Sequence, residues 1–120
     1  MSPSARPTVT VIIPVHDDVD RLGVCLAAIQ AQDYPPELVD VVVADNNSTQ
    51  DVRSALPVDD ARFTLVHESR PGSYVARNAA VQEARGEILA FTDADCIPRP
   101  QWLSAAVDAL GGPDAPDAVG

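Results

Sequence analysis

A chain of 120 residues with 46% hydrophobic side chains is long enough for one domain with a real core and too short for a second. Its formal net charge of −10 argues against a nucleic-acid partner, because such affinity rests on Lys and Arg neutralising phosphates. All 8 basic residues are arginine, which excludes chemistry that needs an amine: a Schiff base, the lysine of a phosphate-binding loop, or the lysine of a receiver domain.

Residues 8–14 are almost all apolar or β-branched, which predicts a strand buried on both faces of a parallel sheet. Asp17 or Asp18 can then cap a helix whose apolar residues Val19, Leu22, Leu26 and Ile29 recur at helical spacing, and Asp33, Tyr34, Pro35 and Pro36 stop it. A second buried strand covers 38–44 and runs into Asp45-Asn46-Asn47-Ser48-Thr49, with Ser48 or Thr49 as the cap of a short helix around 51–56. A third strand, 62–67, precedes a loop over 68–73 with a Pro71-Gly72 turn. The pattern over 74–85 is helical, with Ser73 as N-cap and Gly86 as the stop. A fourth strand, 87–92, leads to Asp93 and Asp95, and Pro100 opens a last helix over 101–110.

Four strands alternating with four helices specify an α/β fold, a parallel sheet with helices on both faces, because right-handed crossovers place helices there. The ligand of such a sheet sits beyond the carboxyl ends of the strands. No apolar stretch reaches the ~20 residues of a membrane span and the N-terminus has no apolar signal-peptide core, so a soluble, cytoplasmic chain with a single domain over 1–120 is expected, its residues 1–7 disordered. Cys25 and Cys96 are too few and too far apart for a disulfide scaffold or a zinc site and are expected as reduced core thiols.

The strand ends carry the chemistry. If the run before Asp93 and Asp95 stays extended, positions i and i+2 project from one side about 6.5–7 Å apart, and two carboxylates aimed at one point suit a divalent cation. The alternative is a pair of solvated turn residues or caps. Pro14-Val15-His16-Asp17 stands where a dinucleotide fingerprint would put glycines, so no pyrophosphate loop is expected there. Asp17 and Asp45 can accept hydrogen bonds from a base or a ribose, or cap helices. Arg77 and Asn78, early in the helix over 74–85, can grip a phosphate or base edge or stay solvated. His16 can ligate a metal or pack in its loop.

Four strings resemble the N-terminal half of family 2 glycosyltransferases: Val11-Ile12-Ile13-Pro14-Val15, Val41-Val42-Val43-Ala44-Asp45-Asn46-Asn47-Ser48-Thr49, Gly72-Ser73-Tyr74-Val75-Ala76-Arg77-Asn78, and Gly86-Glu87-Ile88-Leu89-Ala90-Phe91-Thr92-Asp93-Ala94-Asp95. The resemblance implies a glycosyltransferase-A fold, a Rossmann-like sheet that binds a nucleotide-diphosphate sugar and carries an Asp-x-Asp metal motif. It places Pro14 and Val15 along the nucleoside, Asp45 on the base, Arg77 on the donor, Asp93 near ribose and cation, and Asp95 as principal metal ligand. His16-Asp17 stands where many members have Tyr-Asn, which leaves the role of Asp17 open. The implied cofactor is Mg²⁺ or Mn²⁺ bridging the diphosphate, and the implied acceptor is an unidentified hydroxyl.

In the family the base that deprotonates the acceptor lies well downstream of Asp-x-Asp. This sequence therefore reads as a truncated donor-binding half without that base or an acceptor site, membrane-associated only if the native protein continues. An uncovered edge on the fourth strand would favour self-association. The alternative is a non-enzymatic metal- or nucleotide-binding module. Asp45 and Ser48 follow the second strand, not the first as a metal-dependent adhesion site requires, and Ile97 stands where an aspartyl phosphatase has Thr or Val.

Overall fold

A computed structural model describes residues 6–110 and 118–119. Strands β1 (Val9–Val15), β2 (Val39–Asp45), β3 (Phe63–His67), β4 (Ile88–Phe91) and β5 (Ala118–Val119) form one parallel sheet in the order β3-β2-β1-β4-β5. The helices are α1 (Val19–Gln30), α2 (Ser73–Gln82) and α3 (Trp102–Ala109). The chain builds outward from β1 to β3, then crosses back to lay β4 on the other side of β1. That reversal of direction is where open α/β sheets bind ligands.

Successive strand residues face opposite sides, so β1 supplies two cores. Val9, Val11, Ile13 and Val15 pack with Leu22, Cys25, Leu26 and Ile29 of α1 and Leu103 of α3. Ile12 packs on the other side with Val42, Ala44 and the α2 residues Ala76 and Ala80. Helices thus cover both faces, as the unbroken apolar pattern requires. Thr10 is fully buried, and its hydroxyl donates to Asp40 Oδ1 and accepts the Gly86 N–H, both at 2.8 Å. Those bonds offset its desolvation.

The helix ends differ from their sequence signals. Asp18 stands at the N-cap of α1 and Gly72, at φ 116°, at that of α2, neither with a side-chain cap bond, and Ser73 is already helical. The short helix is a 3-10 turn over Val52–Ala55 preceded by Asp51, so Ser48 and Thr49 do not cap it. The first turn of α3 is capped from another element: Gln32 Oε1 accepts the Leu103 N–H at 3.0 Å, and Gln32 Nε2 donates to the Arg99 carbonyl at 2.6 Å. Gly86 lies beyond the end of α2 at Gln82, and its role is close approach. A Cβ there would sit 2.5 Å from the Thr10 nitrogen and 2.7 Å from the Val9 carbonyl carbon.

Two expectations about the chain ends change. The outer edge of β4, expected to be uncovered, is paired at Leu89 and Ala90 with Ala118 and Val119 of β5, which becomes the edge strand on that side. Of the stretch 1–7 expected to be disordered, 1–5 lie outside the described residues, whereas Arg6 and Pro7 are anchored. The buried Tyr34 hydroxyl donates to the Pro7 carbonyl at 2.6 Å, and the Arg6 guanidinium lies 4.9 Å over the Tyr34 ring and 3.3 Å from Asp108. No helix among the described residues is long and apolar enough to cross a membrane.

The two glycines at which an added methyl has opposite surroundings give a paired test. Gly86→Ala drives a methyl into the β1 backbone and is expected to lower unfolding stability by about 1–3 kcal/mol. Gly23→Ala in α1 meets nothing within 4 Å and is expected to raise stability by about 0.5–1 kcal/mol through helix propensity. Urea denaturation midpoints read both signs.

Candidate functional site

The site begins where the sheet parts. β1 and β4 pair from Val9↔Ile88 to Ile12↔Phe91, and the Thr92 N–H closes that ladder on the Ile12 carbonyl at 3.2 Å. β1 continues beside β2 to Val15↔Asp45, where the Asn46 N–H reaches the Val15 carbonyl at 2.8 Å. The backbone of Ile12 therefore faces β4 and that of Val15 faces β2, so Pro14 faces β4. The N–H that proline lacks would point where β4 has already turned away, so no ladder bond is lost. Pro14 and Val15 line up along this parting, with polar groups on either side.

On the β2 and β3 side lies a cleft of about 390 Å³, whose lining includes Asp45, Asp51, Arg53, His67 and Glu68. The Asp45 side chain is 9% exposed, with Oδ2 3.3 Å from His67 Nδ1. Its Oδ1 accepts the Ser48 N–H at 2.9 Å, which folds the loop back over the strand end. Asn46, buried beside it, is the hub of this rim. Its Nδ2 donates to the Glu68 and Arg70 carbonyls at 3.0 and 2.6 Å, and its Oδ1 accepts the Gly72 N–H at 3.0 Å. In the sequence Asn46 reads as a loop residue; its signal is an amide directly after a buried strand, where loop carbonyls need donors.

Asp17 serves the same rim. At φ 47° it holds a left-handed conformation, and its Oδ1 accepts the Thr49 N–H at 2.6 Å, the Thr49 hydroxyl at 3.0 Å and the Gln50 N–H at 3.1 Å. The Gln50 N–H first, with the Thr49 donors, holds this carboxyl below the usual range against an opposing effect of burial. Its backbone N–H donates to Ser48 Oγ at 2.9 Å, so Asp17 is tied to the loop after β2 and not to the start of α1. His16 packs the same way, its Nδ1 donating to the Asn46 carbonyl at 2.7 Å.

On the β4 side the Asp pair is assembled differently from the expectation. β4 ends at Phe91, and Asp93 and Asp95 lie in a turn closed by the Cys96 N–H on the Asp93 carbonyl at 3.0 Å. The turn, not strand alternation, brings them together: one ligand atom each from Asp93, Asp95 and Cys96 falls within 4.8 Å of the others. Cys96 is exposed, contrary to the expectation of two core thiols, whereas Cys25 is buried and its Sγ donates to the Asp93 carbonyl at 3.6 Å. Burial pushes the Cys25 thiol up to about 11, so it is inert. Two exposed carboxylates with convergent oxygens are hard donors, and they fit Mg²⁺ or Mn²⁺, which take oxygen ligands.

Arg77 joins this corner. Its Nη2 donates to Asp93 Oδ1 at 2.8 Å, while its Nε is buried without an acceptor. Arg77 and Asn78 lie along a cleft of about 430 Å³ with Tyr74, Val81, Phe91 and Thr92. The residues expected at the site thus fall into Asp17 and Asp45 at one end, Arg77, Asp93 and Asp95 at the other, and Pro14 and Val15 on β1, the strand between β2 and β4.

Comparison with known proteins places this geometry. The glycosyl transferase family 2 model matches residues 10–120. Glycosyltransferase AglE of Haloferax volcanii is 38% identical over 113 residues, covering 91% of this chain and 37% of that protein. An N-acetylglucosaminyltransferase of Bradyrhizobium elkanii is 29% identical over 119 residues, covering 95% of this chain and 65% of that protein. Among solved structures, the mannosyltransferase PcManGT of Pyrobaculum calidifontis, in complex with GDP-Man and Mn²⁺, matches with TM-score 0.84 and 39% identity over 92% of this chain and 34% of its own. TarS of S. aureus, in complex with UDP, shares the fold at TM-score 0.73 and 24% identity, over 86% of this chain and 32% of its own. The architecture is therefore that of glycosyltransferase-A enzymes. The chain belongs to glycosyltransferase family 2, and it spans about a third of the length of AglE and PcManGT.

Two outcomes test the rim. Asn46→Ala leaves the part-buried Glu68 and Arg70 carbonyls without this donor and is expected to cost about 1–3 kcal/mol in chemical denaturation. Arg70 donates to both Glu68 oxygens and holds that carboxyl down from 4.5 to about 2. A depressed folded value means that the stabilisation is present above pH 4.5 and is lost as pH falls through about 2. Carboxyl NMR should show a Glu68 midpoint near 2 that returns toward 4.5 in Arg70→Ala.

Proposed function

We propose that this chain forms the donor-binding part of a glycosyltransferase, holding a nucleotide-diphosphate sugar along the carboxyl edge of its sheet with Mg²⁺ or Mn²⁺ for transfer to a hydroxyl acceptor. The observation that carries the reading is the pairing of two sites across one strand end. The Asp45 cleft lies on one side of Pro14 and Val15 and the Asp93–Asp95 carboxylates on the other. The complex of PcManGT with GDP-Man and Mn²⁺ on the same fold supports it.

Each residue then has a role set by its chemistry. Asp45 accepts N–H groups of the base, its carboxylate already oriented by Ser48 and His67. Pro14 and Val15 lie along the nucleoside, and the rim tied by Asp17 bounds it. Asp93 and Asp95 hold the cation, with Asp93 also near the ribose. The cation supplies Lewis-acid stabilisation of the charge that develops on the departing diphosphate. Arg77 contributes a second positive group, with a buried Nε–H still lacking an acceptor. A chain of net charge −10 needs such local cations to bind an anion at all.

Calorimetric titration with GDP- and UDP-sugars, with and without Mn²⁺, tests the proposal. Nucleotide-sugar binding should require the metal. Asp95→Asn should weaken it by at least about tenfold and Asp45→Ala by a similar order, with Mn²⁺ binding retained only in the latter. Metal binding indifferent to nucleotide would instead indicate a non-enzymatic module.

A further inference from the structure

We propose that Cys96 is a third donor of the Asp93–Asp95 cation site, so that thiophilic divalent ions such as Zn²⁺ or Cd²⁺ are held there by two carboxylates and a thiolate. The inference rests on the reading that Asp93 and Asp95 hold a cation. It adds a ligand of different chemistry and hence a second class of ion.

The turn that converges the carboxylates also delivers the sulfur. The Cys96 N–H closes the turn on the Asp93 carbonyl at 3.0 Å, its Sγ lies 3.7 Å from Asp95 Oδ1, and its ligand atom shares the 4.8 Å cluster with both aspartates. Cys96 is exposed, so no repacking is needed for an ion to reach it. The segment that follows is latched to the loop after α1 through Gln32 and through the Asp33 N–H on the Pro100 carbonyl at 2.9 Å, which holds the chain just beyond residue 96. Mg²⁺ and Mn²⁺ prefer oxygen donors and have no use for the thiol. A softer ion recruits it: the S–H bond breaks, the metal–sulfur bond forms, and one proton passes to solvent per ion bound. Three protein donors around a four-coordinate ion leave one open position. Such an ion therefore leaves less room for diphosphate oxygens and competes with the Mg²⁺ or Mn²⁺ form.

The chain has 2 cysteines, and the other is buried, so a thiolate signal is assignable. Titration of the full chain with Co²⁺ should give a near-ultraviolet sulfur-to-cobalt charge-transfer band. That band should be lost in Cys96→Ser, weakened in Asp95→Asn and retained in Cys25→Ala. Zn²⁺ and Cd²⁺ affinities should fall on the order of tenfold in Cys96→Ser, with Mn²⁺ affinity changed less than about threefold. Mn²⁺-dependent nucleotide binding without a cobalt–sulfur band, or Zn²⁺ affinity unchanged in Cys96→Ser, overturns the role of Cys96 and leaves the donor site standing. Failure of every metal to bind overturns both.

Discussion

The parting of β1 from β4 beyond Ile12 governs everything at the carboxyl edge. β1 stays paired with β2 to Asp45, while β4 ends opposite Ile12 and gives way to a turn. One strand can therefore serve as a shared wall between two sites with different chemistry. The two-sided burial of β1 keeps that wall rigid, because moving it would disturb the cores against α1 and α2 together. Gly86 adds a further restraint by bringing the chain entering β4 against Thr10. Packing at the buried end thus fixes where the exposed end opens.

Electrostatics around this edge follow from a chain rich in carboxylates and without lysine. Five of its arginines are already matched to acids among the described residues: Arg6 with Asp108, Arg21 with Asp18, Arg62 with Asp60, Arg70 with Glu68 and Arg77 with Asp93. The fork of Arg62 holds Asp60 down to about 2. Little free positive charge remains, and an anionic ligand on this surface meets mostly carboxylates. A divalent ion held by Asp93 and Asp95, as proposed, would reverse the local sign.

Much of this was legible in the sequence because the buried elements obey local rules. The apolar runs before Pro14, Asp45 and Thr92 gave their strands within a residue or two, and the spacing of Leu22, Leu26 and Ile29 gave α1. Family motifs pointed to Asp45, Arg77, Asp93 and Asp95, and the structure groups them around one edge. What stayed hidden depends on partners distant in sequence. The cap of α3 comes from Gln32, the reason for Gly86 is the backbone of β1, and β5 pairs with Leu89 and Ala90 across nearly thirty residues. Asp93 and Asp95 converge as expected of i and i+2 acids, but a turn hydrogen bond and not strand alternation unites them.

Asn46 carries a consequence for the durability of the fold. Its amide nitrogen faces two carbonyls and its oxygen accepts an N–H, so the side chain is fixed in one orientation and both ends are required. Deamidation would replace the donor with a negatively charged oxygen pointed at those carbonyls, turning two attractions into repulsions while the Gly72 N–H keeps its acceptor. Chemical ageing at this single amide would pry apart the loops after β2 and β3 while leaving the sheet beneath them intact.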